Sequence, residues 1–192
     1  MTAGRRWPTG LVVGRFDPPH LGHSHLIAAA AERVDALVVF VNTKDGEAVP
    51  GGLRASWLAE LHPNVRVVEV RHALRTDFGN EELWAEWMAL FRRHWPLADG
   101  PHVLFSSEVY GEELARRFGA ASVVVDADRA TVPVSATMVR TDPEANLHHL
   151  PPPVRSWVEE RLRAGGRLTS ERDTGGRPEG PPARNDRDEA SQ

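Results

Sequence analysis

The sequence predicts an α/β fold: a parallel sheet of about five strands, wound outward in both directions so that helices cover both faces. Three observations carry this expectation. Short, continuous apolar runs recur along the chain, segments of helical length separate them, and loops rich in Gly, Pro and Asp punctuate the alternation. Strands apolar along their whole length are buried on both sides, as in a parallel sheet whose crossovers are helices.

The elements follow in order. Leu11-Val12-Val13 reads as the first strand; it ends at Gly14 and leads into a Pro/Gly/His loop, after which Leu26 to Val34 reads as an alanine-rich helix. Ala36 to Val41 is a second buried strand, Leu53 to Leu61 a second helix, and Val65 to Val70 a third strand. Glu81 to His94 places Leu83, Trp84, Trp87, Met88 and Phe91 on one broad helical face. His102 to Phe105, the helix Glu108 to Phe118 and Ser122 to Val125 complete the series. The architecture expected is Rossmann-like and doubly wound, and in such sheets ligands gather beyond the carboxyl ends of the strands. One domain is expected over residues 1–166, followed by a polar tail at 167–192 whose Gly, Pro, Arg, Asp and Glu cannot repay their ordering entropy by burial, so disorder is expected there.

Composition narrows the function. A formal charge of −4 gives no global basic field of the kind that grips long nucleic acids, and the absence of cysteine removes disulfides, thiolate zinc sites and thiol nucleophiles. No apolar run is long enough for a membrane span and no signal-peptide stretch opens the chain, so a cytoplasmic protein is expected.

The first βα loop, Gly14-Arg15-Phe16-Asp17-Pro18-Pro19-His20-Leu21-Gly22-His23, sets two histidines at a strand-to-helix junction. Free backbone N–H groups and the helix dipole favour an anion there, and two imidazoles add directed donors. Gly22 lets a ligand approach the backbone. No companion His, Asp or Glu falls at metal-ligand spacing on the same helix, and His25, two residues beyond His23, is expected to face elsewhere as a surface or packing residue. Asp17 reads either as the cap of the tight turn before Pro18 or as an indirect partner of a metal. A late segment, Val134-Ser135-Ala136-Thr137-Met138-Val139-Arg140, offers two hydroxyls at an expected helix start and a guanidinium one turn on, a second phosphate clamp.

Together these segments resemble the two signatures of the HxGH nucleotidyltransferase superfamily: the first matches Gly-x-Phe-x-Pro-x-His-x-Gly-His at every position, and the second departs from Ile-Ser-x-Thr-x-x-Arg only in Val134. The resemblance implies that His20, His23 and Arg140 are catalytic, and that Gly14, Arg15, Phe16, Gly22, Ser135 and Thr137 surround the nucleotide phosphates. Leu53-Arg54-Ala55-Ser56-Trp57-Leu58, Ser106-Ser107-Glu108-Val109-Tyr110-Gly111, Val132-Pro133-Val134-Ser135 and Leu150-Pro151-Pro152-Pro153-Val154-Arg155 are similar to the nicotinamide mononucleotide adenylyltransferase domain of the bifunctional NAD-regulator (NadR-like) type. That likeness implies transfer of AMP from ATP to nicotinamide mononucleotide, or its nicotinate counterpart, with release of pyrophosphate.

For the acceptor the candidate contacts are Trp84, with Trp87 as fallback for stacking on a flat cationic ring, together with Asp77, Arg54 and Ser106. Magnesium is expected through the ATP phosphates rather than through protein ligands. The partners expected are ATP and a small phosphorylated acceptor, with neither nucleic acid nor membrane, and the reading is compatible with a homo-oligomer. No Gly-x-x-x-x-Gly-Lys-Ser/Thr loop occurs and Lys44 is the only lysine, so the kinase activity of the regulator type is not expected, and with the first strand beginning about ten residues in, its DNA-binding domain is not expected either. Two alternatives stay open at this stage: a cytidylyl- or adenylyltransferase acting on another phosphorylated or phosphonate acceptor, and a non-catalytic nucleotide-binding module.

Overall fold

In the computed structural model, which describes residues 6–77, 79–108 and 110–169, five strands form one parallel sheet in the order β3-β2-β1-β4-β5. They are β1 (Trp7–Gly14), β2 (Val34–Thr43), β3 (Arg66–Arg71), β4 (Val103–Ser106) and β5 (Ala121–Val124). The chain starts in the middle strand, steps outward through β2 and β3, and then returns to the other side of β1 for β4 and β5. The winding direction therefore reverses between β1 and β4, and a crevice opens at that switch point beyond their carboxyl ends.

Alternating side chains of the central strands feed two cores, as the two-residue period of a strand requires. Val12, Val39, Val41 and Phe105 face α1 (Leu21–Ala31) and α2 (Gly51–Leu61), where Ile27, Ala30 and Leu58 meet them. Leu11, Val38, Phe40 and Leu104 face α3 (Glu81–His94) and α4 (Tyr110–Phe118), where Trp84, Met88, Phe91 and Leu114 close the other side. A third cluster joins α2 to α5 (Ala136–Thr141) and α6 (Pro152–Arg163) through Trp57, Val139, Leu150, Val154 and Val158. This last cluster anchors the second motif segment against the body of the domain.

Three expectations change. The first helix starts at Leu21 instead of Leu26 and ends at Ala31, while Val34 is the first residue of β2, paired with Trp7. The cause is local: His20 acts as the N-cap, a role that sequence rules assign to Ser, Thr, Asp or Asn. The segment beginning at Leu150 builds an unexpected helix, α6, with Pro152 at its first position where the missing N–H costs nothing. Leu168 is only 1% exposed and packs into the third cluster, so the compact part runs past the boundary expected at residue 166. Residues 170–192, most of the expected tail, lie outside the described residues. Among the described residues, no helix is long and apolar enough to cross a membrane.

Candidate active site

The cleft at the switch point is built where β1 hands the chain to α1. His20 has extended backbone angles and caps the helix with its ring: Nδ1 of His20 accepts from the His23 backbone N–H at 3.4 Å, and Nδ1 of His23 accepts from the His20 N–H at 3.3 Å. The two histidines thus make the reciprocal arrangement usually formed by Ser/Thr and Glu. Their rings stack at 3.6 Å between centroids and 21° between planes, and the Phe16 ring meets His23 edge-on at 4.8 Å.

This capping fixes the chemistry of both rings. An imidazole whose Nδ1 accepts a hydrogen bond, if neutral, carries its proton on Nε2. Burial is the main reason both stay neutral. It pushes His20 down to about 3, helped by the charges of Arg129 and His149, and holds His23 well below its ordinary value, helped by His20 and Arg129. Two neutral Nε2–H donors are therefore presented side by side at a helix N-terminus, a pair suited to the oxygens of a polyphosphate.

Gly22 is required for this geometry. A Cβ there would lie 3.1 Å from the His20 ring and 3.3 Å from Val134 Cγ1, between the two motif segments. Phe16 holds a left-handed φ of 51° with its ring almost wholly buried, and that ring lies against Gly14, where a Cβ would stand 3.0 Å from it. Gly14 thus makes room for Phe16.

The second segment joins from the far side. Ser135 caps α5, its Oγ accepting from the Met138 N–H at 3.2 Å, and Ser135 and Thr137 line the cleft with His20, Gly22 and His23. Arg140 stands behind this wall. Its guanidinium donates to the Asp17 carbonyl at 2.6 Å and lies 3.5 Å from the Thr137 hydroxyl, so it ties the second segment to the first loop.

Arg15 is half exposed and reaches Asp17 at 3.1 Å and Glu47 at 3.3 Å. Asp17 is buried beneath it, and burial raises its carboxyl above the usual range against the opposing pull of Arg54 and Arg15. Among the described residues, no group of three or more His, Asp or Glu side chains is placed to hold a metal ion.

Burial removes two of the expected acceptor contacts, Arg54 and Trp84, and the others are placed as follows. Arg54 is fully buried and donates to the Glu47 carboxylate and to the carbonyl of Arg15, so it supports the first loop from within and cannot meet a ligand. Trp84 is 6% exposed in the α3 core and Arg117 covers one face at 4.5 Å, which leaves no face for a nicotinamide ring. Ser106 uses its hydroxyl on its own turn, accepting from Glu108 N–H at 2.9 Å and donating to Glu108 O at 2.8 Å. Asp77 is exposed and accepts from the Gly79 N–H. Trp87 is partly exposed after all: its Nε1–H donates to Arg75 O at 3.0 Å and its ring meets His72 at 4.4 Å, beyond the carboxyl end of β3.

Five polar or charged cleft residues are not among the site residues expected from the sequence: His25, Ser107, Glu108, Asp126 and Arg129. His25 was excluded because it points away from His23 on a helical wheel. In the structure His25 nonetheless lines the cleft, together with Asp126 and Arg129 of the loop after β5. Arg129 carried no signal beyond being an arginine in a loop, although it lies five residues before the clamp segment.

A family model described as cytidylyltransferase-like matches residues 11–142. Among solved structures, NadR protein in complex with NAD and AMP-PNP is similar at 26% identity and a TM-score of 0.54, over 74% of this chain and 44% of that one. NadR protein in complex with NR is similar at 25% identity and a TM-score of 0.53, over 75% of this chain and 42% of that one. The chain thus spans less than half the length of these relatives. No curated protein matches the sequence.

Proposed function

The chain belongs to the cytidylyltransferase-like family, and on that premise we propose that it transfers the adenylyl group of ATP to nicotinamide mononucleotide or its nicotinate counterpart. One observation carries the transferase reading: the two phosphate-binding segments, far apart in sequence, meet in a single cleft with His20 and His23 side by side at the α1 N-terminus. The choice of acceptor is supported by the likeness to NadR, whose structures hold NAD and NR.

In this reaction an oxygen of the acceptor's phosphate attacks the α-phosphorus of ATP. The bond from that phosphorus to the bridging oxygen breaks, and pyrophosphate leaves with its electron pair. No protein nucleophile is consumed. The chain's part is alignment and stabilisation of developing charge, which a preorganised, partly dry cleft does well. The Nε2–H groups of His20 and His23 donate to phosphate oxygens, the free N–H groups of the α1 N-terminus and the Ser135 and Thr137 hydroxyls add donors, and Arg140 holds the Asp17 loop in register. Magnesium would enter with ATP, held mainly by phosphate oxygens. At the acceptor end the partly exposed Trp87, with His72 beside it, is the aromatic surface for the pyridine ring.

The test pairs ATP or CTP with nicotinamide mononucleotide, nicotinate mononucleotide and phosphopantetheine, following pyrophosphate release beside a His23→Ala control. Release with ATP and a pyridine mononucleotide, lost in the control, supports the reading. Release with CTP alone, or with phosphopantetheine alone, replaces the acceptor or the base, and silence with every pair removes the function.

A further inference from the structure

Beyond the two motif segments, one arginine lines the cleft among the described residues. Arg129 lines it together with His20, His23 and Thr137, and its guanidinium lies 3.7 Å from the carboxylate of Glu108, another lining residue. The loop that delivers it is shaped for the purpose. Asp126 and Arg129 both hold left-handed backbone angles, φ 52° and 51°, which non-glycine residues adopt only where the surroundings impose them. The Asp126 carboxylate pins the loop by accepting from the Thr131 and Val132 N–H groups, and Arg129 N–H donates to the Asp126 carbonyl. Glu108 is fixed likewise through its backbone on Ser106.

We infer that Arg129 is a nucleotide-binding residue that engages the polyphosphate of ATP, and that the Glu108 carboxylate holds this guanidinium in the cleft until the phosphates displace it. The inference rests on the proposed function and names an anchor that its motifs do not contain. Both side chains are about half exposed, at 44% and 57%, so their mutual attraction is screened and small. A polyphosphate offers several charged oxygens to the planar fork and gains further donors from His20 and His23, so exchanging Glu108 for phosphate is favourable. Once displaced, Glu108 faces the bound anion as a like charge, so the carboxylate opposes nucleotide binding both ways.

The test is a binding titration of the full chain with ATP, inorganic tripolyphosphate and AMP, beside steady-state kinetics. Arg129→Ala should weaken ATP and tripolyphosphate by about tenfold to a hundredfold, the range for a charged hydrogen-bonding partner, and AMP much less. Arg129→Lys should recover only part of the loss. Glu108→Gln should tighten ATP by up to about fivefold, the scale of an exposed ion pair, and most of that gain should vanish when Arg129 is already alanine. Unchanged ATP and tripolyphosphate affinity in Arg129→Ala overturns the inference, as does an equal loss for AMP. If the wild-type chain binds none of the three, the proposed function falls with it. If wild type binds ATP and transfers it while Arg129→Ala does the same, only this inference falls.

Discussion

At the scale of single residues, the distinctive feature is that His20 has two jobs. Its Nδ1 caps α1 and its ring lines the cleft, so substitution can separate the two roles. Asparagine caps helices well and cannot place a donor where the imidazole Nε2 stands. His20→Asn is therefore expected to keep its thermal midpoint within a few degrees and to lose about 10²–10³ in kcat, as for a missing transition-state donor. His20→Ala should lose activity and about 1 kcal/mol of stability besides. An active His20→Asn would show that the ring serves only the helix.

The same burial makes stability depend on pH. His20 is depressed to about 3 in the folded state and His23 well below its ordinary value, so as pH falls below the ordinary histidine value of 6.5 the unfolded chain binds more protons than the folded one. Stability is complete above that ordinary value and is lost as pH falls below it. Asp17, raised by burial, acts with the opposite sign just above 3.8 and offsets part of the loss at the acid end. His62 and His72 are depressed too and add to the histidine effect. The urea midpoint of the ligand-free protein should therefore drop between neutral pH and about pH 5, and should drop less in His20→Asn. Equal drops in the two proteins would contradict the assignment.

At the scale of elements, α3 shows how far a helical pattern can be read. Its apolar face was legible from Leu83 to Phe91, but the pattern could not say which tryptophan sits inside it. Trp87 reaches His72 beyond the β3 exit, whereas packing puts Trp84 in the core beneath Arg117, which also pairs with Glu81 at 2.7 Å and so ties α4 to α3. Trp84→Phe should leave the acceptor KM unchanged, whereas Trp84→Ala should cost about 3–5 kcal/mol of stability. A selective rise in acceptor KM for Trp84→Phe would return this residue to the site. The strands were legible because parallel strands buried on both faces are apolar throughout. The start of α1 was not, since its cap is a histidine ring and its alanine-rich body has little amphipathic contrast. Arg54 was misread for a related reason: a buried ion pair with Glu47 looks, in sequence, like two ordinary surface charges.

At the scale of the molecule, topology explains why distant segments cooperate. The reversal between β1 and β4 brings the β1, β4 and β5 exits to one crevice, and the third cluster holds α5 there through α2 and α6. The motifs at each end of this arrangement could be read from sequence. The loop carrying Arg129 and the anchoring by α6 could not, because both depend on how the chain closes in space. Leu168 belongs to that anchor, so a chain ending at residue 166 should lose about 2–5 kcal/mol, the range for emptying a buried leucine site, whereas one ending at 169 should match the full chain in urea denaturation. Equal stability of the two would place the tail's first residues outside the fold.

The most direct test of the central claim follows the label from ATP carrying a radioactive α-phosphate, incubated with nicotinamide mononucleotide and magnesium, with γ-labelled ATP in parallel. Adenylyl transfer at the His20–His23 cleft predicts that the α-label appears in the dinucleotide and the γ-label in pyrophosphate, and that both transfers cease in His23→Ala. Label passing from the γ-position to the acceptor, or α-label transfer undiminished in His23→Ala, would contradict the account.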